Sequence, residues 1–286
     1  MDALQIAPPS PEMTSSITRP NTPVPAGEVA AALEPVAAAL VAPTNPAAAL
    51  ASVAAMTIQP HRFRDAKPIN FGPASPKKLA VHGVDVSRWQ GRIDWLKLRG
   101  QGANFVYIKA TDGGDHLDPM FKRNWRDAHE AGLRRGAYHF FYWCRTAGEQ
   151  ADWFIRNVPK VEGALPPVID VEYNGESRCK KRLKPARIRE KMQVFMDRLE
   201  AHYGQRPIIY TAPDFYRDNL QGAFPNHPFW LRSVAAHPSE IYPGRNWVFW
   251  QYSGSGLSHG VEGRIDLNVF RGSEGEWRAW VAQVAG

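Results

Sequence analysis

Residues 165–175 read LPPVIDVEYNG, and the short run VIDVE inside them decides how the rest of the chain is read. Val168, Ile169 and Val171 are β-branched and apolar, the composition of a strand buried on both faces. Yet the run ends in two acids, Asp170 and Glu172. Successive side chains on a strand alternate sides, so residues two apart share one face. Their Cα atoms are then roughly 6–7 Å apart, from a rise of about 3.3 Å per residue. A buried strand ending in paired acids on one face predicts an active-site rim.

Outward from this strand, the chain from about residue 79 alternates strand-like and helix-like runs. AVHGVDV (80–86), NFVYIKAT (104–111), RRGAYHFFYW (134–143), LPPVIDVE (165–172) and RPIIYT (206–211) are the first five strands, and a helical pattern follows each of the first four. Between the fourth and fifth, Ile188, Met192, Phe195, Met196, Leu199 and Tyr203 recur at helical spacing, and Gly204 supplies the stop. After the fifth strand the helices shrink. PFWLRSV (228–234), NWVFWQYS (246–253) and GRIDLNVF (263–270) follow with little between them, and a last helix covers about 274–283. Strand–helix alternation predicts a parallel sheet. Eight strands predict an α/β fold, an irregular TIM-like (β/α) barrel of about five β/α units followed by three strands with few helices. A doubly wound open sheet is the alternative, but SRWQGRIDW after the first strand lacks a glycine-rich phosphate turn.

On a barrel of parallel strands, residues at the C-terminal strand ends converge on one face. Asp85, Lys109, His139, Asp170, Glu172, Tyr210, Gln251, Asp266 and Asn268 are placed there. Paired carboxylates suit glycoside hydrolysis, one held protonated by apolar surroundings and the other ionised. A single strand-end Asp is as often a helix cap, and His139 reads better as a hydrogen-bonded core residue than as a base. No HExxH, zinc-spaced Cys/His set or GxSxG elbow is present, so no metal or cofactor is expected.

The formal charge of +7 suits an anionic polymer, but Lys and Arg are scattered and no basic stripe argues for nucleic acid. Residues 1–77 are rich in Pro and Ala, with one Phe before position 70 and neither Trp nor Tyr. They are expected to form a disordered leader or tether, able to engage an envelope or secretion-machinery partner, ahead of a catalytic barrel at 78–286. Pro35, Pro43 and Pro46 cut the most apolar part into pieces too short to span a bilayer.

Between about 82 and 272 the chain resembles glycoside hydrolase family 25, the muramidase-type lysozymes. The resemblance rests on GVDVSRWQG (83–91), FVYIKATDG (105–113), FKRNWRDAHEAGLRRGAYHFF (121–141), VIDVE (168–172), RPIIYT (206–211) and FWQYSGSGLSHGVEGRIDLNVF (249–270). It implies an irregular barrel that cleaves the β-1,4 bond between N-acetylmuramic acid and N-acetylglucosamine in peptidoglycan. It implies Glu172 as general acid/base and Asp170 as nucleophile or as guide of the substrate's acetamido group. Asp85 and Asp266 would tune the pocket, Lys109, Tyr138 and Tyr210 would line it, and Trp250 would face a sugar ring; Asn268, from its place on the eighth strand, is expected to bind substrate too. Asp112 stands where the family commonly has Glu. A non-catalytic peptidoglycan binder and a lytic transglycosylase are the competing readings. The expected setting is the periplasm, envelope or medium, and the expected state a monomer. The two cysteines, Cys144 and Cys179, follow neighbouring strands on the catalytic face, which predicts a disulfide pinning the basic 174–187 loop beside the cleft.

Overall fold

A computed structural model describes residues 57–174 and 181–285. In chain order the strands are β1 (Arg64–Asp65), β2 (His82–Val86), β3 (Phe105–Asp112), β4 (His116–Leu117), β5 (Arg134–Phe140), β6 (Val168–Val171), β7 (Ile208–Thr211), β8 (Phe229–Arg232), β9 (Phe249–Leu257) and β10 (Ile265–Phe270). The helices are α1 (Trp95–Gly100), α2 (Phe121–Glu130), α3 (Ala147–Asn157), α4 (Pro185–Tyr203), α5 (Pro213–Asn219), α6 (Pro238–Ile241) and α7 (Glu274–Val284).

The expected barrel is present. Strands β2, β3, β5, β6, β7, β8 and β9 pair in parallel in that order. Strand β10 closes the ring by pairing antiparallel with both β9 and β2. Each of β2, β3, β5, β6 and β7 is followed by a helix, giving five β/α units. After β8 only the single turn α6 intervenes, and β9 runs to β10 with no helix. The helix read from its apolar spacing is α4; its six periodic residues are buried, and it ends at Gly204 in the left-handed region, φ 74°.

The barrel interior has two levels, because inward-facing residues recur every second position. The lower level is aromatic: Phe105, Tyr107, Trp230, Phe249 and Phe270 pack together. Phe105 and Phe249 have ring centroids 4.7 Å apart, and Tyr107 and Trp230 5.1 Å apart. Trp277 and Val281 of α7 cap this end. Two glycines make room for the large rings. A Cβ at Gly83 would lie 2.6 Å from the Phe105 ring, and one at Gly136 would lie 2.2 Å from Tyr107. The upper level, at the C-terminal ends of the parallel strands, is polar.

The expected boundary at 77/78 needs correction, since residues 57–77 belong to the barrel. Strand β1 pairs with β9, Arg64 opposite Leu257 and Asp65 opposite Gly256. Phe63 is buried in the main core, and the Phe71 ring meets Trp250 edge-on at 5.0 Å. Gln59 N–H donates to Asn104 Oδ1 at 2.8 Å, and Ser255 Oγ donates to Asp65 Oδ1 at 2.6 Å. Most of these anchors are backbone hydrogen bonds and small contacts, which need no apolar run and leave no periodic signal. Residues 1–56 lie outside the described residues. Among those described, no helix is long and apolar enough to cross a membrane.

Candidate active site

A cleft of about 280 Å³ opens at the upper level of the barrel. Its floor and walls come from nearly every strand: Asp85 of β2, Lys109 of β3, Tyr138 and Phe140 of β5, Asp170 of β6 with Glu172 just beyond, Tyr210 of β7, Trp230 and Arg232 of β8, Gln251 of β9 and Asp266 of β10. The four acids expected from the sequence therefore meet.

Asp266 arrives by a different route from the one expected. Strand–helix alternation places it at the C-terminal end of a parallel strand, but β10 runs antiparallel and Asp266 stands near its beginning. Reversal puts that end on the catalytic face, directly opposite Asp85 in the β10–β2 register.

Asp85 is held by two amides. Its Oδ1 accepts from Gln251 Nε2 at 2.9 Å and from Asn268 Nδ2 at 2.7 Å. Gln251 Oε1 in turn accepts from Tyr210 Oη at 2.9 Å, and Asn268 Oδ1 from Trp230 Nε1 at 2.8 Å. Asn268 is fully buried and does not line the cleft. Expected to touch substrate, it instead orients Asp85 from one layer below, one step along β10 past the inward Asp266.

Burial, and then the Glu172 charge, push Asp85 up to about 6 against the two amides that stabilise its ionised form. Burial, with the Asp85 charge opposite, pushes Asp266 up to about 8. Asp170 and Glu172 are both pushed up, first by burial. Their carboxyls hydrogen-bond one another, which favours the proton on Asp170 and the charge on Glu172. Each carboxyl therefore resists ionising beside the other. Asp170 Oδ1 is buried with no hydrogen-bond partner among the described residues.

Lys109 lines the cleft as expected, its Nζ 2.8 Å from Asp112 Oδ2 and over the Phe140 ring at 5.0 Å. Asp112 thus anchors the cleft's lysine. Tyr138 and Tyr210 also line the cleft. Trp250 does not. It is fully buried outside the barrel wall, where its Nε1 donates to the Ser233 carbonyl at 2.7 Å and its ring meets Phe71, His237 and Trp247. Strand alternation gives the reason: Gln251 faces inward, so its neighbour Trp250 must face out.

The tryptophans that line the cleft are instead Trp230 and Trp89. Trp89 is 77% exposed at the mouth, in the turn after β2, with the Arg88 guanidinium 4.7 Å from its ring centroid. The sequence reading passed over Trp89, Trp230 and Arg232, although Trp230 and Arg232 are two apart on one strand, the same parity signal that marked Asp170 and Glu172. His139 is a buried core residue: its Nδ1 lies 2.7 Å from Thr111 Oγ1, its Nε2 3.1 Å from Gln150 Oε1, and its ring stacks on Phe195. Burial pushes it down to about 4, so it is neutral at pH 7. Cys144 is not a free thiol; Cys179, its expected partner, lies outside the described residues. Among the described residues no His/Cys/Asp/Glu group is arranged to hold a metal ion.

Four carboxyls at the C-terminal face of an eight-stranded barrel, two of them two residues apart on one strand, can serve acid–base cleavage of a glycosidic bond. The model of the family described as glycosyl hydrolases family 25 matches residues 84–261. The chain belongs to this family. Its glycoside hydrolase activity follows from that membership. Among family 25 relatives, Lysozyme M1 of Streptomyces globisporus is 35% identical over 211 residues, 71% of either chain. YegX of Escherichia coli (strain K12) is 39% identical over 220 residues, covering 74% of this chain and 77% of its own. The structure of a family 25 glycosyl hydrolase from Bacillus anthracis superposes with a TM-score of 0.68 at 38% identity, covering 76% of this chain and 98% of the other.

Proposed function

We propose that the enzyme is an N-acetylmuramidase that cleaves the β-1,4 bond between N-acetylmuramic acid and N-acetylglucosamine in peptidoglycan. The observation that carries the mechanism is that Asp170 and Glu172 line the cleft together, with Asp170 Oδ1 buried and without a hydrogen-bond partner among the described residues. A direct carboxylate nucleophile needs its partner roughly 5–5.5 Å away, across the scissile bond. Asp170 and Glu172 instead stand two residues apart at the end of one strand, side by side on one face. Their arrangement suits a reaction in which the substrate's own acetamido oxygen attacks the anomeric carbon.

In this reading Asp170 Oδ1, buried and without a donor, accepts the acetamido N–H. That bond favours the ionised form of Asp170 and moves the proton to Glu172. Glu172 then protonates the leaving oxygen as the C1–O bond breaks, and the acetamido oxygen bonds to C1. Afterwards Glu172, now a carboxylate, takes a proton from water as the water oxygen attacks C1 and the bond from C1 to the acetamido oxygen breaks, so the configuration is retained. The Asp85 carboxylate, fixed by Gln251 and Asn268, faces the positive charge that develops on the sugar. Trp89 offers an aromatic face to a sugar at the mouth. The substrate places the enzyme outside the cytoplasm, in the periplasm, envelope or medium, where the oxidised state of Cys144 is stable.

The test is digestion of purified peptidoglycan with wild type and Glu172→Gln. Wild type is expected to release reducing-end muramic acid, and Glu172→Gln to bind but release nothing. Anhydro-muramic acid would identify a transglycosylase; no product with binding intact would identify a non-catalytic binder; Glu172→Gln within tenfold of wild type would remove Glu172 from its role.

A further inference from the structure

Among the described residues two cations line the cleft, Lys109 and Arg232. Lys109 is neutralised by Asp112 at 2.8 Å. The Arg232 guanidinium is different. Arg232 ends β8, opposite Gln251 of β9, and its carbonyl is tied down by the Tyr242 hydroxyl. Its side chain nevertheless makes no hydrogen bond or ion pair with the described residues, although Asp85, Glu172 and Asp266 all lie within its electrostatic reach. A half-buried guanidinium with five donors and no acceptor is poised for an external anion.

The reaction itself gives this cation no use. Positive charge grows on the sugar during cleavage, and an unengaged guanidinium beside it opposes that growth. An anionic substituent on the substrate reverses the argument. Such a group entering a cleft lined by four carboxyls is repelled unless a cation receives it. The guanidinium fork matches a carboxylate with two parallel hydrogen bonds.

We propose that Arg232 is the specificity residue of the cleft, receiving through its guanidinium a carboxylate borne by the glycan next to the scissile bond. The enzyme thereby selects acidic, muramic-type chains over neutral polymers of N-acetylglucosamine. This rests on the hydrolase reading above and adds the group that is recognised. The carboxylate has two sources with the same chemistry: the free lactyl group of a peptide-free muramic acid, or the nearest carboxylate of an attached stem peptide.

The experiment compares wild type, Arg232→Gln and Arg232→Lys on three chains of equal length: peptide-free glycan, the same glycan carrying stem peptides, and a neutral N-acetylglucosamine oligomer. Steady-state kinetics give kcat and KM, and calorimetry in a Glu172→Gln background gives Kd. Losing a charge-assisted pair predicts that Arg232→Gln lowers the acidic-to-neutral ratio of kcat/KM by about tenfold or more, chiefly through KM. Arg232→Lys recovers part of it, keeping the charge without the fork. A drop on peptide-free glycan identifies the lactyl carboxylate, and a drop confined to the peptide-bearing chain identifies the peptide. A ratio within twofold of wild type on both acidic chains overturns the proposal, as does an equal loss on all three. Should wild type hydrolyse none of the chains, the hydrolase reading fails, and the calorimetric ratios still decide the role of Arg232.

Discussion

Asp266→Asn is expected to make the enzyme more stable at high pH while impairing it. Asp266 faces Asp85 across the β10–β2 pair, and burial with the Asp85 charge raises it from 3.8 to about 8. A carboxyl raised in the folded state is bound to its proton more tightly there than in the unfolded chain. Its burden on stability is absent below about pH 4, grows as the pH rises through the interval, and is complete above about pH 8. A tenfold difference in proton affinity between the folded and unfolded chain is worth about 1.4 kcal/mol. Here the difference is roughly ten-thousandfold, so the upper limit is roughly 5–6 kcal/mol. Water in the open cleft screens part of this, leaving about 3–5 kcal/mol. Asn has the shape of the protonated acid and cannot ionise. Guanidinium chloride unfolding followed by tryptophan fluorescence should therefore show the variant level with wild type at pH 4 and ahead by that amount at pH 9. In melting temperature the gain at pH 9 is about 6–20 °C for a domain of this size. A difference that does not change with pH, or a variant less stable at pH 9, would refute the reasoning about the acid cluster.

The 57–77 segment is testable by truncation. A chain beginning at residue 57 should unfold like the full chain, whereas one beginning at 78 loses Phe63 and β1 and should be weaker by about 3–5 kcal/mol or more in chemical denaturation. Equal stability of the two would show that the segment contributes nothing. Trp250→Ala should cost about 3–5 kcal/mol of stability with KM unchanged in the folded enzyme, because Trp250 lies outside the cleft. Trp89→Ala should do the reverse, raising KM several-fold while stability moves by no more than about 0.5 kcal/mol. Finally, mass spectrometry of alkylated, unreduced enzyme should find Cys144 and Cys179 in one cross-linked peptide pair. Reduction should lower stability by roughly 3–4 kcal/mol, from the loop of about 36 residues that the bridge would close. Two alkylated thiols would exclude the bridge.

What the sequence by itself determined is whatever depends on neighbours along the chain. Strand and helix alternation, the five β/α units, the α4 stripe ending at Gly204, and the shared face of Asp170 and Glu172 all follow from periods of 2 and 3.6 residues, which the backbone imposes locally. What only the tertiary structure decided depends on how distant segments pair. The antiparallel insertion of β10 delivers Asp266 from the start of its strand rather than the end. The inward parity of Gln251 turns Trp250 out of the cleft, and that parity is set by the β8 and β10 registers, not by the WQYS motif. Asn268 became a support for Asp85 because the ring is closed, which places it below the acid rather than beside the substrate. Residues 57–77 joined the barrel through the open edge of β9, an edge that exists only after the sheet has formed. The Arg232 guanidinium is likewise visible only in the assembled cleft, where three carboxyls lie within its electrostatic reach and none among the described residues pairs with it. Hydrogen-bond registers and ring closure link residues up to about two hundred positions apart, and no local pattern of side chains encodes them.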